Sequence, residues 1–309
     1  HIQEDNEIPI DSTIVLVNIG DLDRRSIAKQ IEIINKYKPK VIGVDVIFRE
    51  EQNSDQDLPL VQAFKNTDKL VLSSTLSEYE NGSYNKLETS HIKFSRRAYQ
   101  GFTNFYIPSN EFNTVRKFPP KENFNDILHY SFAVEIASHF DSTCTTEFIH
   151  RNNDLEIINF KRDFRKYVTL STEDVFSKQN DLEFIKDKIV LIGFMGPNER
   201  IPTDHKMFFT PMNHYYVGKS FPDMYSIEIQ ANIISMILAK KYLNSIPEWL
   251  SYAITLMIIY FNMAFFTYLR DRHNEWYEPV TIIATIGEML FILFFILWFI
   301  YLFGIEIQA

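Results

Sequence analysis

Asp45 is the ionisable residue whose position is least expected, because it lies inside the apolar segment VIGVDVIF, residues 41–48. A carboxylate in such a segment lies at the end of a buried strand or is buried with hydrogen-bond partners, since an unpaired charge is costly to bury. Asp45 therefore has either a structural role, as an acceptor of backbone N–H groups, or a ligand-binding or catalytic role. The segment favours the structural role.

Gly193 and Gly196 frame a second candidate site, the sequence Gly-Phe-Met-Gly that ends an apolar run over residues 189–193. In open α/β sheets, ligands bind in the loops beyond the carboxyl ends of the strands. A GxxG pattern is also typical of a tight turn, and no clear helix follows this one. The pattern favours a turn over a ligand site.

Oxygen and nitrogen side chains recur between residues 204 and 214, where Asp204-His205, Thr210-Pro211 and His214 could supply metal ligands. Their spacing matches neither a helical i, i+4 pair nor HExxH. The segment therefore predicts no metal site. It favours a loop held by hydrogen bonds of Asp204 and Thr210, with ligand binding as the alternative.

The sequence lacks the signatures GxSxG, Walker A and GxGxxG. The single cysteine, Cys144, has no histidine at a spacing that indicates a nucleophile and its base. We therefore predict no catalytic residue, no cofactor and no metal, and we expect that the protein is not an enzyme.

The elements that position these residues alternate between strand and helix. Apolar runs at 14–19 and 41–47 indicate buried strands. Between them, Ile27, Ile31 and Ile34 share one helical face. This βαβ unit predicts two parallel strands, which we expect to be adjacent and central, with the three isoleucines packed on them.

Further strands are predicted at 70–73 and 189–193, and helices at 127–140 and 226–243. Alternation of this kind predicts an α/β fold with a mostly parallel sheet and helices on both faces.

Two apolar stretches near the end of the sequence, at about 249–269 and 280–304, are each long enough to cross about 30 Å of hydrocarbon as a helix. We therefore divide the chain into a water-exposed domain at 1–246 and a transmembrane helical hairpin at 247–309. The lipid bilayer is the first predicted partner.

Asn262 and Glu288 are polar residues within the two apolar stretches. Counted from the link between the helices, they lie seven and eight residues in, about 11–12 Å below the same interface. An ionisable group at this depth usually faces a partner. We predict that Glu288 contacts Asn262, with a helix of another chain as the alternative.

The formal charge of −9 and the absence of a Lys/Arg run exclude nucleic acid as a favoured partner. The acidic balance also argues against adhesion of the water-exposed domain to anionic lipid. The polar start of the sequence does not resemble a signal peptide, so an export signal would have been removed or lie elsewhere.

Several blocks, in order along the chain, resemble the second CHASE family, the cyclase/histidine-kinase-associated sensory extracellular domains. The resemblance covers about residues 12–270. The blocks are IVLVNIG at 14–20 with the βαβ unit that follows, Val115-Arg116, SFAVEIA at 131–137, INF at 158–160, DKIVLIG at 187–193, Asp204 with Thr210-Pro211, and IEIQANII at 227–234.

The resemblance implies an exported α/β sensory domain, which we expect to be in the periplasm on the inner (cytoplasmic) membrane of a bacterium. It carries over no catalytic residue. Two departures stand out: Ser226 replaces the usual glycine, and two apolar stretches stand where the family usually has three membrane helices and then a cytoplasmic output domain.

Two hypotheses of function follow. The first is a membrane-anchored sensory or receptor subunit that binds a ligand or protein and acts through partner proteins. The alternative is a non-catalytic scaffold subunit of a multiprotein bacterial envelope complex. Both predict other membrane or periplasmic proteins as partners, and a homo-oligomer is a further alternative. An enzyme that uses Asp45 or Asp204 is the least favoured reading.

Overall fold

The structure is a computed structural model of the 309-residue chain. It describes residues 9–80, 83–107, 114–177, 181–196, 207–213, 221–244, 248–272 and 277–303. The chain divides into two units, Ile2–Tyr242 and His1 with Leu243–Ala309. They are called here the α/β unit and the membrane unit.

Strands and helices alternate along the α/β unit. The strands are β1 Asp11–Asn18, β2 Val41–Asp45, β3 Leu70–Glu80, β4 Ser83–Glu88, β5 Tyr99–Phe102, β6 Lys117–Phe118, β7 Lys121–Phe124, β8 Ile127–Tyr130, β9 Glu156–Ile157, β10 Tyr167–Leu170, β11 Ile189–Gly193, β12 Met207–Phe208 and β13 Met224–Tyr225. The helices are α1 Arg24–Asn35, α2 Ser54–Lys65, α3 Ile92–Ser95, α4 Phe132–Phe140, α5 Ser142–Ile149, α6 Thr172–Ser177 and α7 Ser226–Leu238, and the membrane unit contains α8 Glu248–Arg272 and α9 Tyr277–Phe303.

The central sheet has the order β10-β1-β11-β2-β3-β4, with β5 also paired to β3. All pairings in it are parallel except β3 with β4. The predicted α/β class with a mostly parallel sheet is therefore confirmed. The apolar runs that predicted β1, β2 and β11 correspond to strands whose residues are buried on both faces, as parallel sheets require.

The expected adjacency of the first two strands is wrong, because β11 lies between β1 and β2. Ile189 pairs with Ile14 on one side and with Val41 on the other. All five residues of β11 are buried, and the strand lies between two other apolar strands. Strands that are consecutive in sequence pair or neighbour each other in only about two-thirds of cases.

Helices cover both faces of the sheet. α1 begins after Asp23, whose side chain accepts a hydrogen bond from the Ser26 N–H at 2.8 Å. Its residues Ile27, Ile31 and Ile34 are buried against one face of the sheet, as predicted. α4 and α7 pack on the opposite face.

The predicted helix over 127–140 is wrong in its first part. Asn125 and Asp126 adopt φ of 51° and 60° and form the turn of a hairpin between β7 and β8. Short polar residues tolerate this left-handed conformation, so the turn overrides the helical spacing that follows it. The helix α4 begins only at Phe132, and Ile127 remains 61% exposed in β8.

The membrane unit contains two helices that are long and apolar enough to cross a membrane, over Tyr252–Arg272 and Glu278–Phe295. Their large apolar side chains are exposed where the structure describes them, including Leu256, Phe261 and Phe294. An apolar surface of this extent is suited to lipid or to other membrane helices.

Two strand glycines let α4 approach the sheet, and their substitution provides a test of this packing. A Cβ at Gly43 would collide with Cδ1 of Ile136, the end of a flexible side chain, whereas a Cβ at Gly101 would lie 2.6 Å from the Phe132 Cα. We expect Gly43→Ala to lower the free energy of unfolding by about 1–3 kcal/mol and Gly101→Ala by more, because backbone cannot rotate away. Urea unfolding followed by circular dichroism measures both, and equal stability of Gly101→Ala and wild type would contradict the packing.

Candidate functional site

A row of small and polar residues crosses the sheet at the carboxyl ends of its strands. Asn18 of β1 pairs with Gly193 of β11, and Gly193 pairs with Asp45 of β2. Ser73 is in the next position on the neighbouring strand β3. Earlier in these strands, the residues on the same face are apolar and pack on α4 and α7. This face of the sheet therefore changes from apolar to polar at one row of residues, called here the edge row: Asn18, Gly193, Asp45 and Ser73.

Asp45 is the ionisable member of the edge row, and it is half-buried. Burial raises the pKa of its carboxyl group, while interactions with the hydroxyl groups of Ser226 and Ser73 lower it by less, so the pKa lies above its usual range. Ser226 is the first residue of α7. The structure therefore places Asp45 beside two hydroxyl groups, an arrangement that can accept and donate hydrogen bonds.

Gly193 and Gly196 are both explained by the close approach of the start of α7. A Cβ at Gly193 would lie 2.8 Å from Cδ1 of Ile227. Gly196 has a φ of 86°, and a Cβ there would collide with the Tyr225 hydroxyl. These contacts give both glycines a packing role at the carboxyl edge of the sheet.

Asn18 ties the edge row to the loop after β11. Its side-chain amide donates to the Gly196 carbonyl at 2.7 Å and accepts from the N–H groups of Met195 at 2.9 Å and Gly20 at 3.0 Å. All these groups are buried or partly buried, so the bonds hold two loops together.

Thr210 belongs to a separate hydrogen-bonded loop. Its N–H and hydroxyl both donate to the carboxylate of Asp223, at 2.8 and 2.5 Å. Burial raises the pKa of Asp223 despite these bonds. Thr210 is therefore held in a loop by an aspartate, but the partner is Asp223; Asp204, His205 and His214 lie outside the described residues.

Within the described part of the chain, no three or more His, Cys, Asp or Glu residues are grouped so that they could hold a metal ion. Cys144 donates to the Asp141 carboxylate at 3.3 Å, and burial together with that carboxylate raises the pKa of the thiol. A raised thiol pKa disfavours the thiolate that a nucleophile needs.

Two polar residues of the membrane unit, Asn262 and Glu288, are in contact. The Asn262 side-chain amide donates to Oε1 of Glu288 at 2.5 Å, between α8 and α9. A hydrogen bond between helices satisfies two groups that lipid would leave without a partner.

A family model for the CHASE2 domain matches residues 8–264. The chain belongs to the CHASE2 family. This match confirms the resemblance inferred from the ordered sequence blocks. CHASE2 domains are extracellular sensory domains, so membership is consistent with a membrane-anchored sensor. No curated protein and no solved structure matches the chain.

Sequence reasoning missed two members of the edge row, Asn18 and Ser73, and it did not connect Ser226 of α7 with Asp45. Asn18 and Ser73 end or follow apolar runs, as Asp45 does, but only the order of the strands brings them into one row. Ser226 was visible as a departure from the family pattern, and its hydroxyl interacts with Asp45.

The contributions of Asp45 and Asp57 to the stability of the fold should change with pH in opposite directions. Burial raises the pKa of Asp57, but hydrogen bonds from Arg24 and the Gln52 N–H, with the charges of Arg24 and Lys93, lower it overall. A carboxyl group whose pKa is raised by folding makes the folded chain bind more protons than the unfolded chain above pH 3.8, so stability falls as pH rises to the folded pKa. A carboxyl group whose pKa is lowered by folding stabilises the fold at neutral pH, and this stability is lost as pH falls to the folded pKa.

We therefore expect Asp45→Asn to become more stable than wild type as pH rises from 4 to 7, by about 1.4 kcal/mol per unit of pKa shift. Asp57→Asn should be less stable than wild type at pH 7, and the difference should shrink as pH falls. Urea unfolding at both pH values measures this, and the same sign for the two variants would refute the assignment.

Proposed function

We propose that this chain is a sensory subunit whose α/β unit lies outside the cytoplasm and whose two apolar helices anchor it in the inner membrane of a bacterium. The observation that carries the proposal is the CHASE2 match over residues 8–264, which extends from β1 into α8. The domain responds to a ligand or protein on the outer side and acts through partner proteins.

The sensory role is non-catalytic. Burial raises the pKa of the Asp45 carboxyl group, which neighbours two serine hydroxyls. We infer a non-catalytic role from the family match, because CHASE2 domains are sensory domains. We propose that the hydrogen bond between Asn262 and Glu288 joins the two membrane spans, and that the exposed apolar faces of α8 and α9 contact lipid and partner helices.

A scaffold subunit would share this topology, but it would need no small ligand. Binding of a solute to the α/β unit therefore separates the two functions, because a scaffold predicts partner contacts without a saturable ligand response.

The proposed orientation predicts which engineered thiols an impermeant maleimide can reach in intact cells. In a Cys144→Ser background, Lys86→Cys in β4 should be labelled and Arg272→Cys at the end of α8 should not, because both positions are exposed but lie on opposite sides of the membrane. Both thiols should react after permeabilisation. Labelling of position 272 but not position 86 in intact cells would reverse the topology.

A further inference from the structure

A cavity of about 470 Å³ lies at the other end of the sheet from the edge row, where β1 begins and α7 ends. Its size is within the range of small-molecule sites, about 300–1,000 Å³. Three cationic residues line it, Lys161, Arg162 and Lys241. Together with Asn159 and Ser235, which also line the cavity, they are called here the basic groove.

The two carboxylates that line the same cavity are engaged with other groups. Asp11 accepts hydrogen bonds from the Thr13 N–H at 2.9 Å and the Ser235 hydroxyl at 2.8 Å, and Arg162 lies 3.7 Å from it. Asp141 caps α5 by accepting from the N–H groups of Thr143 and Cys144. Neither carboxylate is placed to neutralise a lysine of the groove.

Lys161 and Lys241 have no carboxylate within ion-pair distance among the described residues, although both line the cavity. Burial lowers the pKa of the Lys161 ammonium, and the charges of Lys241 and Arg162 lower it further. The groove therefore concentrates about two uncompensated positive charges in a chain whose formal charge is −9. An anion that enters the groove would offset this repulsion.

The backbone around the groove is rigidly held. Asn232 of α7 accepts from the N–H groups of Lys161 and Arg162 at 3.2 and 3.1 Å, and it donates to the Arg162 carbonyl at 2.8 Å. Asn159 donates to the Lys241 carbonyl at 2.8 Å. The cationic side chains therefore extend from a fixed framework, which lowers the entropy lost when a ligand binds.

We propose that the basic groove binds a small oxyanion with about two negative charges, of the phosphate, phosphomonoester or dicarboxylate class. Lys161 and Lys241 supply charge. The Arg162 guanidinium already donates from Nε to the Pro9 carbonyl at 3.4 Å and from Nη1 to the Ser235 hydroxyl at 2.9 Å, so it would offer its remaining N–H groups to a phosphate or carboxylate oxygen. Lys241 of the groove is followed directly by Tyr242, the last residue of the α/β unit. The binding goes beyond the proposed function and does not depend on signalling.

The test uses the full chain in nanodiscs of phosphatidylcholine, titrated with inorganic phosphate and separately with succinate. Isothermal calorimetry should show saturable binding of at least one of the two anions. Lys161→Gln and Lys241→Gln should each raise Kd at least tenfold. Lys65→Gln, which removes an exposed lysine from the last turn of α2, is the matched control and should leave Kd unchanged.

Thermal unfolding of the same variants supplies a second readout that a general loss of stability would not mimic. Without anion, Lys161→Gln should melt at or above the wild-type temperature, because repulsion with Lys241 and Arg162 is removed. With saturating anion, it should melt below wild type, since the variant lacks the bound ligand.

Nanodiscs that contain phosphatidic acid, whose headgroup is a phosphomonoester, distinguish the source of the oxyanion. A phosphate Kd raised at least tenfold by this lipid assigns the groove to a lipid phosphate group, whereas an unchanged Kd assigns it to a free solute. Absence of binding for both anions, or equal affinity of wild type and the Lys161→Gln/Lys241→Gln variant, would overturn the proposal.

Discussion

The buried amide of Asn232 holds α7 against the segment at residues 159–162, which lines the basic groove. It makes four hydrogen bonds, two accepted from Lys161 and Arg162 and two donated to the carbonyls of Arg162 and Glu228. These four bonds specify one position of α7, because any shift of the helix would leave several buried or partly buried polar groups without partners. α7 can therefore connect the edge row at its start with the basic groove at its end.

The parts of the fold that depend on local pattern could be predicted from the sequence. β1, β2 and β11 are continuous apolar runs, the face of α1 follows from the spacing of its isoleucines, and the apolar length of α8 and α9 indicates membrane spans. The order of the strands could not be predicted in the same way. β11 pairs with strands far earlier in the chain, and nothing local to its sequence records which neighbours it takes.

The candidate sites were only partly predictable for the same reason. Asp45 is conspicuous as a charge in an apolar run, but its hydroxyl neighbours Ser73 and Ser226 come from a different strand and from α7. The helix predicted over 127–140 begins only at residue 132, because the Asn125-Asp126 turn places residues 127–130 in a β-hairpin. The basic groove has no sequence motif, since Lys161 and Lys241 are brought together only by the packing of α7.

An oxyanion bound in the basic groove should stabilise the segments that line it, including the end of α7. Hydrogen exchange of the full chain, measured by mass spectrometry with and without saturating phosphate or succinate, tests this most directly. We expect slower exchange in residues 159–162 and 232–242 and unchanged exchange in β2. Unchanged exchange at the end of α7, or protection confined to the edge row, would contradict it.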